Sequence, residues 1–271
     1  MGLTMFQVDA FATEPFKGNP AAVVPLEGDF LPADVMLNIA AENNLAETAF
    51  FVRRGEGQYD LKWFTPTVEM DLCGHATLAS AFVLYERLGE TADILRFQTR
   101  SGELTVERQG DLLMLDFPSR QPVACEAPEG LIDAIGREPK EIYRSRDYLM
   151  VYETEDDVRA IKPNFMALLD IPTHAVIVTA PGSDCDFVSR FFAPEVGVPE
   201  DPVTGSAHCT LIPYWAERLG KTELYARQIS ARGGELVCEL RGERVRIGGR
   251  ATLFMTAEIY IGEISKNAVG S

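Results

Sequence analysis

The feature that most constrains this chain is an internal repeat. The string Cys73-Gly74-His75-Ala76-Thr77-Leu78 is echoed by Thr204-Gly205-Ser206-Ala207-His208-Cys209, with Gly74 and Gly205 separated by 131 positions. The same offset carries Glu86-Arg87-Leu88-Gly89 onto Glu217-Arg218-Leu219-Gly220. After a slip of one residue, Gly102-Glu103-Leu104 falls on Gly234-Glu235-Leu236, and Gly110 on Gly242. A fixed period of this kind means that one structural unit is built twice. Each unit reads as a glycine turn, a helix closed by glycine, and a hairpin-like pair of strands.

The helix predicted over Ala76–Leu88 has no charge before Glu86, so it has no face suited to water and must be surrounded by protein. Gly89 has the signature of a left-handed C-cap, and Arg87 complements the negative end of the helix dipole. Its counterpart, Ala207–Leu219, contains Pro213, which removes one internal hydrogen bond and predicts a kink. A further helix is expected near Leu37–Asn43. Alternation and β-branched content predict strands at Phe6–Phe11, Ala21–Val24, Thr48–Val52, Tyr59–Phe64, Glu103–Arg108 and Leu112–Phe117. In the second half they fall at Ala175–Thr179, Leu236–Glu239, Val245–Gly248 and Ala251–Tyr260. The picture is an α+β chain: a mainly antiparallel sheet curled around one buried helix, made twice, without the alternating units of a doubly wound parallel sheet. The four prolines between Pro118 and Pro139 mark a linker. The boundary is expected near residue 125, giving halves 1–125 and 126–271, with exchange of the C-terminal strand between them open.

Composition excludes several classes. With 25 basic against 41 acidic residues the net charge is −16, which repels nucleic acid and anionic membrane surfaces. Five cysteines without a C-x-x-C pair argue against a disulfide framework or a four-thiolate zinc site. No apolar run approaches the roughly 20 residues of a membrane span, so a cytoplasmic protein with reduced thiols is expected. No G-x-x-x-x-G-K or G-x-G-x-x-G string is present, and Thr-Gly-Ser-Ala is not a serine-hydrolase elbow. Cys73, His75 and His208 are conceivable zinc ligands, but a fourth ligand and a recognised spacing are missing, so no metal is expected.

At each repeat position a glycine precedes a helix start, where backbone N–H groups lack partners and can hold a carboxylate or oxyanion. Two such starts facing each other would form one cleft for an acidic small molecule; two tight turns needed only for packing are the plainer alternative. Glu47, at the edge of an apolar strand, is either a capping residue or a partly desolvated acid–base group. His75 is either a local hydrogen-bonding residue or a proton shuttle. Asn19, in a Gly-Asn-Pro turn, can be a turn residue alone.

Taken in order, Gly18-Asn19-Pro20-Ala21-Ala22-Val23, Ala46-Glu47-Thr48-Ala49-Phe50, Asp71-Leu72-Cys73-Gly74-His75-Ala76-Thr77 and Glu200-Asp201-Pro202-Val203-Thr204-Gly205-Ser206-Ala207-His208 resemble the successive motifs of the PhzF-like phenazine-biosynthesis family, a branch of the diaminopimelate-epimerase-like superfamily. The resemblance spans about residues 6 to 260. It implies two β-barrel-like halves, each wrapped around a helix, with the site at their junction and no cofactor. It implies a homodimer that binds a small carboxylated molecule. Glu47 matches the family's proton-carrying carboxylate, and His75 and Asp201 its other polar site residues. Asn19, Cys73, Thr204, Ser206 and the backbone at Gly74 and Gly205 fall among the substrate-binding positions. Cys73 and Thr204 resemble in position the catalytic thiols of the two-thiol racemases. Only one thiol is present here, and a threonine hydroxyl is too weakly acidic to be a second base. The expected chemistry is therefore a one-sided proton shift by Glu47, such as a double-bond isomerisation. A non-catalytic binding protein and a one-thiol lyase or epimerase using Cys73 remain the alternatives.

Overall fold

The computed structural model describes residues 2–262. In the first half the strands are β1 (Gly2–Ala10), β2 (Asn19–Leu26), β3 (Glu47–Gly55), β4 (Gln58–Phe64), β5 (Glu69–Met70), β6 (Ile94–Thr99), β7 (Gly102–Gln109), β8 (Leu112–Pro118) and β9 (Val123–Ala124). The second half runs β10 (Glu141–Arg144), β11 (Tyr148–Val151), β12 (Val176–Pro181), β13 (Phe187–Ala193), β14 (Val198–Asp201), β15 (Glu223–Gln228), β16 (Gly234–Arg241), β17 (Arg244–Gly249) and β18 (Ala251–Tyr260). Among the described residues six α-helices accompany them, α1 (Ala33–Asn43), α2 (Gly74–Arg87), α3 (Leu131–Ile135), α4 (Glu155–Ala160), α5 (Phe165–Leu168) and α6 (Gly205–Leu219), with one 3-10 turn at Pro194–Val196.

The strand pairings repeat as the sequence does. In the first half β2 runs parallel to β3, and β4 parallel to β6. In the second, β11 runs parallel to β12, and β13 parallel to β15. All other pairings within the two halves are antiparallel, including the hairpins β7–β8 and β16–β17. Eight strands that the sequence reading left unassigned, β5, β6, β9, β10, β11, β13, β14 and β15, complete the two curled sheets. The halves are joined twice. Strand β8 pairs with β17, placing Phe117 opposite Val245 and Leu115 opposite Ile247. The last strand of each half also lies on the first strand of the other: β9 pairs with β10, and β18 runs the full length of β1 from Gly2–Tyr260 to Ala10–Ala251. The segment expected as a linker therefore contains β9 and α3, and the C-terminal ten-residue strand belongs spatially to the first half.

Helices α2 and α6 are the two buried axes. Eleven of the fourteen residues of α2 are buried, as their uncharged sequence requires, and Leu78 of α2 and Leu211 of α6 share one apolar core. Two outer cores flank it: Met36 and Ile39 of α1 pack on β2 and β3, while α3, α4 and α5 cover β11 and β12. Pro213 sits inside an unbroken α6, where a kink was expected. Its missing N–H would have bonded the carbonyl of Cys209; that carbonyl instead accepts 2.8 Å from the backbone N–H of Arg120, in the chain just after β8. The acceptor that proline releases is satisfied by another segment, so the helix continues.

A chain stopped after Arg250 would leave β1 with one unpaired edge and would uncover the part of the first-half outer core on which Met255, Ala257 and Ile259 of β18 pack. Such a chain is expected to aggregate or to lose its near-UV circular dichroism. A soluble product that melts cooperatively within a few degrees of the full chain would contradict this account of the fold.

Candidate active site

The starts of α2 and α6 meet head to head. A Cβ placed on Gly74 would lie 3.5 Å from the Cα of Gly205, and one on Gly205 would lie 3.6 Å from the Cα of Gly74. Neither glycine has a positive φ, so what they supply is close approach, not an unusual backbone angle. Both are the first helical residues, with Cys73 and Thr204 as the N-caps, so each helix starts two positions earlier than the Ala76 and Ala207 expected from the sequence. Neither cap side chain bonds its own helix: the Thr204 hydroxyl is directed to Asp201. Backbone donors at both helix starts are thus left for a ligand.

A cleft of about 420 Å³ opens over this junction. It is lined by Glu47, Cys73, Gly74, His75, Asp201, Thr204, Gly205 and Ser206, so eight of the nine residues singled out in the sequence border one space. The ninth, Asn19, lies fully buried directly behind them. Its Nδ2 donates to Asp201 Oδ1 at 2.8 Å and to the carbonyl of Val203 at 2.9 Å, and approaches His75 Nδ1 at 3.2 Å. Asn19 is therefore more than a turn residue. The turn that presents it demands glycine beforehand: Gly18 has φ +65°, and a Cβ there would collide with the carbonyl of Ala10 at 2.1 Å. The second half grips the same turn, since Arg232 donates to the carbonyl of Gly18 at 2.8 Å and pairs with buried Asp9 at 2.8 Å.

His75 stands between two groups. Cys73 Sγ lies 3.6 Å from Nδ1, and Glu47 Oε2 lies 3.1 Å from Nε2, in ion-pair range but off the line of a straight hydrogen bond. The Glu47 carboxylate can only accept, so the Nε2 it faces carries a proton. Burial opposes a charge on His75, whereas an ionised Cys73 and the Glu47 carboxylate favour it, and the balance raises the imidazole well above its ordinary range. Burial, then Glu47, pushes the Cys73 thiol up, so the thiol stays protonated and the lift on His75 rests on Glu47. Its place at a helix start therefore does not lower the Cys73 thiol, because the side chain is buried beside a carboxylate.

Asp201 is pushed up to about 6 by burial, with the Glu47 carboxylate adding; His75 and the bonds from Thr204 (2.5 Å) and Asn19 oppose the shift. The loop carrying Asp201 is tied by a residue that sequence reasoning missed. Buried Gln228, on β15, accepts 2.8 Å from the backbone N–H of Thr204 and donates to the Asp201 carbonyl and to the Thr204 hydroxyl. A lone glutamine on a strand carries no pattern that would have drawn attention to it. Arg120, Arg146 and His174 also border the cleft and were equally silent in the sequence.

His208 is not part of the cleft. It lies in the core against Phe187, its Nδ1 donating to the carbonyl of Thr204 at 2.8 Å, and burial lowers it to about 4. The conceivable set Cys73–His75–His208 is thus separated. Donor atoms of Glu47, Cys73 and His75 do lie within 4.8 Å of one another. They face opposite edges of one imidazole ring, however, so they form a relay and not three lone pairs converging on one point.

The family model described as phenazine biosynthesis-like protein matches residues 8–257. A Pseudomonas aeruginosa protein named as an uncharacterized isomerase is 54% identical over 261 residues, covering 96% of this chain and all of its own. A human protein named for a phenazine biosynthesis-like domain is 41% identical over 283 residues, covering 94% of this chain and 98% of its own. Among solved structures, a PhzF-family protein of Enterococcus faecalis superposes with a TM-score of 0.93 at 49% identity, over 96% of this chain and all of that one.

Asp201 titrates near 3.8 when unfolded and near 6 when folded, so between those values the folded chain holds the extra proton and loses stability as pH rises. Asp201→Asn lacks that loss. Its stability relative to the unsubstituted chain is expected to climb between about pH 4 and 6, by roughly 2 to 3 kcal/mol, and then level off. Urea unfolding across pH 4 to 8 checks it. His208 titrates in the opposite sense but is common to both chains and cancels; a difference that stays flat across the window would contradict the assignment.

Proposed function

The chain belongs to the phenazine biosynthesis-like protein family and has its diaminopimelate-epimerase-like fold, and from that premise we propose that it is an isomerase that shifts a proton within a small carboxylated substrate, with Glu47 as the acid–base group. The observation that carries this reading is the convergence of Glu47, His75 and, through Asn19, Asp201 on one cleft floored by two open helix starts. A substrate carboxylate placed over Gly74, Gly205 and Ser206 faces backbone donors and the positive ends of both helix dipoles. Negative charge that develops there when a neighbouring C–H bond loses its proton is stabilised by the same donors. Glu47 takes that proton and returns it to a different carbon, so the double bond moves and no atom is gained or lost. His75 faces Glu47 through Nε2–H and steadies whichever charge state the carboxylate holds. No residue here depends on a bound cofactor for its part.

One thiol lies near this centre, and its environment favours the protonated form. A lyase or epimerase through Cys73 is the weaker reading, because a buried neutral thiol is a poor nucleophile and base. The two readings separate cleanly by substitution. A panel of unsaturated and amino carboxylates in deuterated water, followed by proton NMR, is expected to reveal one class that gains deuterium or moves a double bond. Glu47→Gln is expected to slow that reaction by about 10²-fold or more, the usual weight of a positioned general base, while Cys73→Ala leaves it within a few-fold. The reverse pattern would transfer the chemistry to Cys73. Binding without any exchange, unchanged in Glu47→Gln, would make the chain a binding protein that keeps an enzyme's fold.

A further inference from the structure

The chain has nineteen arginines, and among the described residues fifteen of them are in ion pairs, as expected where acidic residues are in excess. Two of the four exceptions, Arg120 and Arg146, border the cleft. Buried Nη1 of Arg120 finds no acceptor among the described residues, although an unpaired guanidinium N–H is costly to bury. His174, half-buried, borders the same wall. Glu47, Glu69 and Asp71 line the cleft from before β8 and Asp201 lines it from β14, whereas Arg120 and Arg146 come from the segment between β8 and β11, with His174, whose imidazole burial pushes down, further along. Two acidic side chains bear on these three residues: Glu195, which acts on His174, and Asp147, buried, which burial pushes up to about 6 against the pull of Arg146 and Arg120 and which makes an ion pair with neither. The position of Arg120 is itself built in. Pro213 releases the carbonyl of Cys209, and the N–H of Arg120 takes it, anchoring the backbone beneath the guanidinium.

We propose that the substrate carries a second oxyanionic group, a carboxylate or a phosphate, and that Arg120, with Arg146, binds it on the part of the cleft wall they form while the helix starts hold the first carboxylate. The inference rests on the reading that the cleft is the substrate site, and it narrows the substrate to dianionic molecules. Guanidinium forks match both oxyanions, and a buried donor without a protein partner gains most from one. The first-half wall, with Glu69 and Asp71, repels the same group and so orients the ligand.

The test is ligand-observed NMR titration of the full chain with butanoate, with glutarate, which is butanoate plus one carboxylate, and with 3-phosphonopropanoate. Glutarate or the phosphonate is expected to bind about tenfold more tightly than butanoate, the weight of one charge-assisted contact. A tighter phosphonate assigns the group as phosphate, and a glutarate at least as tight assigns it as carboxylate. In Arg120→Met the advantage over butanoate is expected to vanish with butanoate binding unchanged; Pro213→Ala, which returns the Cys209 carbonyl to the helix, reduces it. Arg146→Met serves as the second variant should Arg120→Met melt far below the unsubstituted chain. Equal affinity for all three ligands, or an advantage that survives both arginine substitutions, overturns the proposal. The Glu47→Gln chain is titrated in parallel: an anion preference retained there, with no proton exchange found for any substrate, defeats the isomerase reading while leaving the anion site standing.

Discussion

The contact on which this structure depends is the approach of two helix starts to van der Waals distance, with Gly74 of one against Gly205 of the other. Helix starts carry like partial charges, so bringing two together is unfavourable unless an anion or a set of acceptors lies between or beside them. The protein places Asp201 and Glu47 there, and leaves the backbone donors open toward the cleft. Two helices buried almost all around, in two sheets that curl about them, hold the ends at this separation.

The sheet connections make that separation hard to change. Strand β8 pairs with β17, and each half lends its last strand to the first strand of the other, β18 to β1 and β9 to β10. Arg232 adds a side-chain link at the turn bearing Asn19. The site therefore sits between two halves that complete each other's sheets, which suits chemistry in which a proton must be moved over a short distance with fixed geometry.

Within the site, burial and hydrogen bonding divide the labour among similar groups. Two carboxyls near one imidazole have different neighbours: Asp201 receives bonds from Asn19 and Thr204 yet is pushed up by burial, whereas Glu47 faces the protonated nitrogen of His75. The second imidazole, His208, sits four residues after the second N-cap, bonds to its carbonyl and is kept neutral by the core. Two histidines that look equivalent in the sequence strings thus serve different ends, one in the cleft and one in packing.

Much of this was legible in the chain itself. The 131-residue offset announces two equivalent units, and the uncharged run after Gly74 can only be a buried helix. The ordered motifs bring Asn19, Glu47, His75, Asp201 and Ser206 forward as a group. These signals are local or periodic, and side-chain chemistry at fixed spacing survives without coordinates. What only tertiary structure decided depends on contacts between residues far apart in sequence. Gln228 and Arg232 reach the site from β15 and the loop after it, and Arg120 is set by a carbonyl that a proline 93 positions later releases. Cys73 could be read as reactive from its position at a helix start, until burial beside Glu47 pushed its thiol up. Spacing along the chain determined which groups are available; desolvation and long-range pairing determined their charge, their partners and the wall of the cleft they face.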